Sequence, residues 1–348
     1  MNRLDSLLGD PRSNDYYLIG EIAYNHEGNL DFALETVEQL CKHPVQAVKI
    51  HVLLDIEEYM TPENPDWQLR YDWLWTEAEY GRVIDRIREL GKEVIVMPDD
   101  TRSAAFCSEH GGVDAIELHA VCLNDRPLLE AFAAFEGPVM LGIGGSTVEE
   151  IADAVEFLRM KGKDDIILMY GIQTYPTDLS KINLKKMNRF AELFGCEVGY
   201  ADHTAWDHPD NAFASCFGYL QGHRILEKHY THAYGEDRID FQAATGDAQM
   251  KELVHKLDLV KLSLGSGSLE LNDSELKYGA VGPMKKAIIA TRDIAAGEVL
   301  TAADVTLKRS GGQTYMKQTF LPMVIGRKTA AALKKHEKIE FEKLEGEA

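Results

Sequence analysis

Five of the twelve histidines, His203, His208, His223, His229 and His232, fall between residues 201 and 232. Two of them close short apolar runs: His203 in Gly199-Tyr200-Ala201-Asp202-His203-Thr204, and His229 in Leu226-Glu227-Lys228-His229-Tyr230-Thr231. Two imidazoles completed by water and substrate oxygens suit a divalent ion such as manganese. No HExxH or CxxC frame accompanies them, so hydrogen-bonded core histidines are the competing reading. Asp202 could orient its neighbour's imidazole from behind, or simply cap the turn at Thr204. His208, His223 and His232 read as structural or surface residues.

Glu21 ends another apolar run and is followed by Asn25, His26, Glu27 and Gly28. A carboxylate there can hold a sugar hydroxyl or move a proton, or it can merely anchor the loop. Lys49 lies inside the run Ala47 to His51, where an ammonium is costly unless an anion meets it. That anion could be a ligand carboxylate or phosphate, or an internal partner such as Glu21. Tyr175-Pro176-Thr177 marks a tight turn prone to a cis bond. Arg309, in Lys308-Arg309-Ser310-Gly311-Gly312, offers forked donors to an anion or sugar; otherwise it is a solvated surface arginine.

These residues need elements to hold them, and the chain supplies a regular alternation. Apolar runs at 17–23, 47–51, 94–97, 115–118, 138–143, 166–170, 197–201 and 225–230 each precede an amphipathic stretch of helical length, at 30–41, 76–90, 103–110, 126–135, 147–161, 184–194, 211–221 and 247–264. Eight strand-helix units in about 250 residues predict an α/β fold, the closed parallel TIM (β/α)8 barrel, rather than an open doubly wound sheet. Chemistry then belongs at the C-terminal ends of the strands. The expected organisation is a barrel over 1–264, a linker over 265–284 rich in Gly, Ser, Asn and Asp, and a small β-rich module over 285–348, with β-like pieces at 286–294, 297–300 and 304–308.

Composition sets the outer bounds. The 348 residues are 45% hydrophobic and 27% charged, as in an ordinary globular protein rather than a disordered or fibrous one. No apolar run approaches the roughly 20 residues of a bilayer span, and residues 1–17 carry three aspartates where a secretion signal would be apolar. A cytoplasmic location is expected. Five scattered cysteines argue against a disulfide framework and a thiolate zinc site. A net charge of -20 disfavours nucleic acid and anionic membranes as partners. The module from Lys285 onward runs against this, with 12 Lys/Arg to 8 Asp/Glu.

Gly20-Glu21-Ile22-Ala23-Tyr24-Asn25-His26-Glu27-Gly28, Ala47-Val48-Lys49, Thr174-Tyr175-Pro176-Thr177, Asp202-His203-Thr204 and Glu227-Lys228-His229-Tyr230-Thr231 together resemble the sialic acid synthase family in order and spacing. The tail, with Arg292-Asp293-Ile294-Ala295-Ala296-Gly297-Glu298 and Lys308-Arg309, resembles the antifreeze-like SAF (β-clip) domain that ends those enzymes. The resemblance implies condensation of phosphoenolpyruvate with an N-acylated hexosamine, typically N-acetylmannosamine, to a nine-carbon 2-keto acid and phosphate, with Mn2+ or Mg2+. It implies His203 and His229 as metal ligands, Glu21, Lys49, Tyr175 and Asp202 in catalysis, and Asn25, His51, Gln173 and Asp240 as substrate contacts. Arg309 would reach the sugar from a partner chain in a domain-swapped homodimer.

The chain departs from the family on the donor side. Pro98, Glu117, Ala120 and Gly142 stand where the family places phosphate-binding hydroxyls and a lysine, Gln173 and Ala201 replace polar donor contacts, and His51 replaces a glutamine. Glu117 in place of a lysine would repel a phosphate dianion. Arg102, His119 and Arg126 are expected to rebuild an anion site in another geometry. Two rivals follow: an aldolase-like enzyme using an unphosphorylated donor such as pyruvate, and a catalytically silent sugar-binding relative.

Overall fold

The computed structural model describes residues 2–280 and 284–346. The chain divides into two compact units, Met1–Ser266 and Gly267–Ala348. In the first, β1 (Tyr17–Glu21), β2 (Ala47–Val52), β3 (Glu93–Pro98), β4 (Ala115–Leu118), β5 (Val139–Gly142), β6 (Ile166–Tyr170), β7 (Glu197–Asp202) and β8 (Ile225–His229) form a closed parallel barrel in sequence order. β1 pairs with both β2 and β8, which sets Glu21 level with Lys49 on one side and His229 on the other.

Every strand is buried on both faces, which is why the strands read as almost continuous apolar runs. Alternate residues face the axis or the helices. Tyr17, Ile19, Ala47, Ile95, Ala115, Met140, Ile167 and Ile225 fill the lower interior. Leu18, Val48, Val94, Val96, Ile116, Leu141, Leu168 and Leu226 point outward into the layer shared with the helices. Short polar caps start those helices where the sequence places them: Asn29 before α2 (Leu30–Leu40), a Thr76–Glu79 capping box at α5 (Glu77–Glu89), Asp100 before α6 (Thr101–His110), Asp125 before α7 (Arg126–Ala134) and a Thr147–Glu150 box at α8 (Val148–Met160). α9 (Lys185–Phe194), α10 (Asn211–Leu220) and α11 (Asp247–Leu264) complete the ring.

Two features lie outside the eight-unit pattern. A seven-residue helix, α1 (Arg3–Gly9), closes the N-terminal end of the barrel by inserting Leu4 and Leu7 beneath the interior side chains. Glu93 ties it down, accepting from the Arg3 amide and from the Tyr17 hydroxyl. Between β2 and α5 the chain makes a long excursion carrying α3 (Ile56–Tyr59) and α4 (Trp67–Asp72), where the sequence pattern passed directly from strand to helix.

The second unit pairs β9 (Lys286–Ala290) with β10 (Val305–Arg309) in antiparallel register, Arg309 opposite Lys286. Single bridges at Ile294–Leu333, Val299–Lys328 and Thr329–Leu344 fold the rest around Ile288, Leu300, Met316, Leu333 and Ile339. The expected strand piece at 297–300 is thus reduced to one bridge. Within 265–284, α12 (Asp273–Glu275) and a π-helical turn at Leu276–Ala280 give the segment local structure. All five cysteines are free, and no helix among the described residues is long and apolar enough to cross a membrane.

Candidate active site

At the C-terminal end of the barrel the axis-facing side chains turn polar. Glu21, Lys49, His51, Glu117, His203, Glu227 and His229, with Tyr24, Arg70, His119, Gln173, Tyr175 and Asp240 from the loops, line a cavity of about 210 Å3. A wider cleft of about 520 Å3 under α1, bordered by Arg3, Asp15 and Lys261, lies at the opposite end. That end carries stability rather than chemistry in this architecture.

The floor is built on Lys49. Its Nζ donates to Glu227 Oε2 (2.7 Å) and Glu117 Oε2 (3.0 Å) and pairs with Glu21 Oε2 (3.0 Å). Burial disfavours the ammonium, yet Glu117, Glu21 and Glu227 hold it well above the usual amine range. Burial also works against the Glu21 carboxylate, but Lys49 and His229 keep it well below its ordinary value. Glu227 and Glu117 move the other way, because burial and the like charges around them outweigh Lys49. Three carboxylates therefore share one ammonium, leaving a surplus of negative charge or a retained proton.

Beside that floor, His203, Glu227 and His229 each offer a ligand atom, all within 4.8 Å of one another. His203 Nδ1 lies 3.0 Å from the Ile172 carbonyl, a contact that makes Nδ1 the donor and leaves Nε2 its lone pair. Burial, then the neighbouring His229, lowers His203 to about 3, so the ring is neutral. His229 Nδ1 is buried without a hydrogen-bond partner among the described residues. Two imidazoles and a carboxylate, one of them holding an orphaned ring nitrogen, fit a divalent cation. The Tyr175 ring covers the pair, 4.6 Å from His203 and 5.8 Å from His229 between centroids, on a loop that turns at a cis Tyr175-Pro176 bond. Gly171 permits the close approach below: a Cβ there would lie 2.8 Å from the Ala201 carbonyl and 3.3 Å from the His203 ring.

The other wall is formed by His51 and Tyr24. His51 Nε2 meets Glu21 Oε1 at 3.2 Å and its Nδ1 meets Asp99 Oδ2 at 3.4 Å. Burial alone would lower it, but Asp99 and Glu21 raise it to about 9. Tyr24 donates to the same Asp99 oxygen (2.9 Å). His119 has no such carboxylate bonded to it among the described residues, and burial together with the charges of His51 and Lys49 holds it at about 4. Asp240, at φ 64, turns its carboxylate toward the Tyr24 amide (3.4 Å).

Residues 55–269 match the NeuB family and residues 285–345 match the SAF domain. The chain belongs to the NeuB family. This is the sialic acid synthase family that the motifs resemble, here with its C-terminal SAF domain. Within it, the chain is 24% identical over 312 residues to N,N'-diacetyllegionaminic acid synthase of Legionella pneumophila, covering 85% of each. It is 22% identical over 331 residues to pseudaminic acid synthase of Campylobacter jejuni, covering 91% of this chain and 93% of that one. The N-acetylneuraminic acid synthetase of Leptospira borgpetersenii superposes with a TM-score of 0.68 at 24% identity, over 75% of this chain and 89% of that one. Spore coat polysaccharide biosynthesis protein SpsE of Bacillus subtilis gives 0.64 at 19% identity, over 96% of each.

In this NeuB-family barrel, Glu21, Lys49, His51, Gln173, Tyr175, His203, His229 and Asp240 converge on one cavity. Several expected residues do not. Asp202 faces away from His203, into the helix layer, where it accepts from Lys228 Nζ (2.9 Å), Ser215 (2.6 Å) and the Thr204 hydroxyl (2.6 Å). One position along a strand reverses the face. Asn25 does not line the cavity: it donates to the Ile239 carbonyl (2.8 Å) and accepts from Thr231 (2.6 Å), bracing the loop that presents Asp240. Pro98 ends β3 on its outer face, and the adjacent Met97 lines the cavity instead. Arg102 and Arg126 are spent on exposed ion pairs with Glu77 and Asp153, so of the three proposed anion-site residues only His119 reaches the cavity. Arg309 is an exposed residue of the second unit, at the end of β10.

Sequence reasoning passed over Glu227, Tyr24, Asp99 and Arg70. For Glu227 the signal existed, since it stands two residues before His229 on one strand and must share its face. Glu117 and His119 are spaced the same way. Arg70 left no such trace, because it rides on α4 in the unforeseen excursion.

Proposed function

We propose that the chain is a metal-dependent nonulosonic acid synthase: it joins a three-carbon enol donor to the aldehyde carbon of an N-acylated hexosamine, giving a 2-keto-3-deoxy sugar acid. The observation that carries this is the His203, Glu227 and His229 group at the C-terminal mouth of the barrel, beside ionised Glu21 and under Tyr175. A divalent metal there, manganese or magnesium, would supply Lewis-acid polarisation of the acceptor aldehyde. Glu21, kept ionised by Lys49, takes up and returns protons at the acceptor hydroxyl. Lys49 supplies the fixed positive charge beside the donor carboxylate, and Asp240 and Gln173 orient the sugar hydroxyls. Tyr175 shields the acceptor aldehyde carbon from bulk water. With phosphoenolpyruvate, the donor C3 bonds to the aldehyde carbon, water adds at C2 and phosphate leaves. The reading extends to a cytoplasmic homodimer in which Arg309 of a second copy contacts the sugar.

A specific observation favours a second donor. The Glu117 carboxylate occupies hydrogen-bonding distance of Lys49, and Ala120 and Gly142 present no side-chain donor where the family holds phosphate. Pyruvate, as its enol, forms the same bond with no leaving group. Incubating the protein with manganese, a panel of N-acylhexosamines and either donor separates the two readings. Mass spectrometry detects the enlarged sugar and a phosphate assay follows release. Product with stoichiometric phosphate supports the phosphorylated donor, product from pyruvate the unphosphorylated one. Absence of product from both overturns the synthase reading.

A further inference from the structure

The cavity wall contains one cation that no carboxylate answers. Lys49 has three carboxylates and His51 has two. Arg70, from α4, has none among the described residues, and its Nη1 is buried without any hydrogen-bond partner. Its guanidinium lies over the Tyr24 ring, 3.7 Å from guanidinium carbon to ring centroid, with Trp73 also near at 5.7 Å. A cation–π contact uses the charge of the guanidinium and does not fill its N–H donors, and Nη1 is left unfilled. Tyr24 is itself fixed, by its bond to Asp99 and by the His51 ring 4.7 Å away. The arginine is therefore held against a fixed ring, with Nη1 unfilled, at the cavity wall. A desolvated donor without a partner is unfavourable. It becomes favourable when a ligand brings a planar or tetrahedral oxyanion, the geometry a guanidinium matches with two parallel bonds.

We propose that Arg70 is the oxyanion anchor of this cavity, receiving a carboxylate or phosphate carried by the substrate. The inference rests on the synthase reading for the word substrate, and on the wall geometry alone for the anion. Arg70 then takes the part for which Arg102 and Arg126 are wrongly placed, from the loop after β2 rather than from β3 to β5. The oxyanion has two sources: the donor, or an acceptor sugar bearing a phosphate or uronate carboxylate.

Titration calorimetry on the full chain with manganese tests this, using inorganic phosphate, phosphoenolpyruvate, pyruvate, neutral N-acetylmannosamine and its 6-phosphate as probes. In the wild type, an anionic probe binds tighter than its neutral counterpart, and Arg70→Gln weakens that probe by roughly ten-fold or more while leaving neutral sugar unchanged. Arg70→Lys, which keeps the charge and loses the fork, falls between the two and serves if the glutamine variant does not fold. Loss confined to phosphoenolpyruvate or pyruvate places the anion on the donor, and loss confined to the sugar phosphate places it on the acceptor; both support the anchor. Equal affinities of wild type and both variants for every anionic probe overturn it. A wild type that makes product while those affinities match defeats the anchor and leaves the synthase reading standing. Arg70-dependent anion binding with no product from any donor does the reverse.

Discussion

Lys49 and Lys228 sit on neighbouring sides of β1, one on β2 and one on β8, and both are almost wholly buried. Lys49 points into the barrel and meets three carboxylates; Lys228 points out and meets one, Asp202. The outer pair is balanced, and Asp202 is further satisfied by Ser215 and Thr204. Although burial works against that carboxylate, Lys228 and those hydroxyls lower it to about 2. The inner group is unbalanced, opens to the cavity and adjoins the His203 and His229 rings. Matched charge closed off from solvent is what structure requires; unmatched charge at a cavity is what a ligand or metal completes.

The strongest break between the regions is in metal uptake. His203→Ala and His229→Ala each abolish stoichiometric manganese binding, measured by calorimetry or elemental analysis, whereas Lys228→Met leaves the stoichiometry intact. Stoichiometric metal retained in both histidine variants would remove the ligand assignment. Next is the outer pair. Asp202→Ala strands Lys228 and costs about 3 to 5 kcal/mol in urea unfolding, while Asp202→Leu with Lys228→Met recovers most of it. A single-variant loss under about 1 kcal/mol would erase the contrast.

The two regions also fail at opposite ends of the pH scale. Asp202 titrates lower folded than at its ordinary 3.8, so its contribution is present above about pH 3.8 and lost as pH falls through about 2. His51 titrates higher folded than at its ordinary 6.5, so its contribution, about 3 kcal/mol, is full below about pH 6.5 and lost as pH rises through 9. Unfolding curves of His51→Gln and wild type should converge across that alkaline window, and a constant gap from pH 6 to 10 would contradict it. The smallest effect is Glu117→Gln, which removes one of the three carboxylates that share Lys49. Stability should stay within about 1 kcal/mol of wild type and improve as pH rises above the carboxylate range, the reverse of Asp202→Ala.

The barrel was legible because each strand is an uninterrupted apolar run and each helix announces itself with a capping residue such as Asn29, Thr76 or Thr147. The helix α1 was not, since seven residues with two buried leucines make too little periodicity to detect. In the site, His203, His229 and Glu21 could be placed from strand ends, and Lys49 from a charge inside an apolar run. Asp202 misled because adjacency in sequence was read as adjacency in space, while the two-residue period that exposes this error would also have delivered Glu227. Arg70 follows no period and depends on how a loop folds back over Tyr24.

That excursion between β2 and α5 has a further implication for how such a protein can change its trade. A single inserted or deleted residue in β8 would exchange Glu227 and His229 for Lys228 on the axis-facing side, and one in β7 would exchange Asp202 and His203, so the strands tolerate substitution but not slippage. The segment carrying α3 and α4 has no such ruler. It can lengthen, shorten or swap its side chains without disturbing a strand, which makes it the natural place for descent, or an engineer, to rewrite which substrate the barrel accepts.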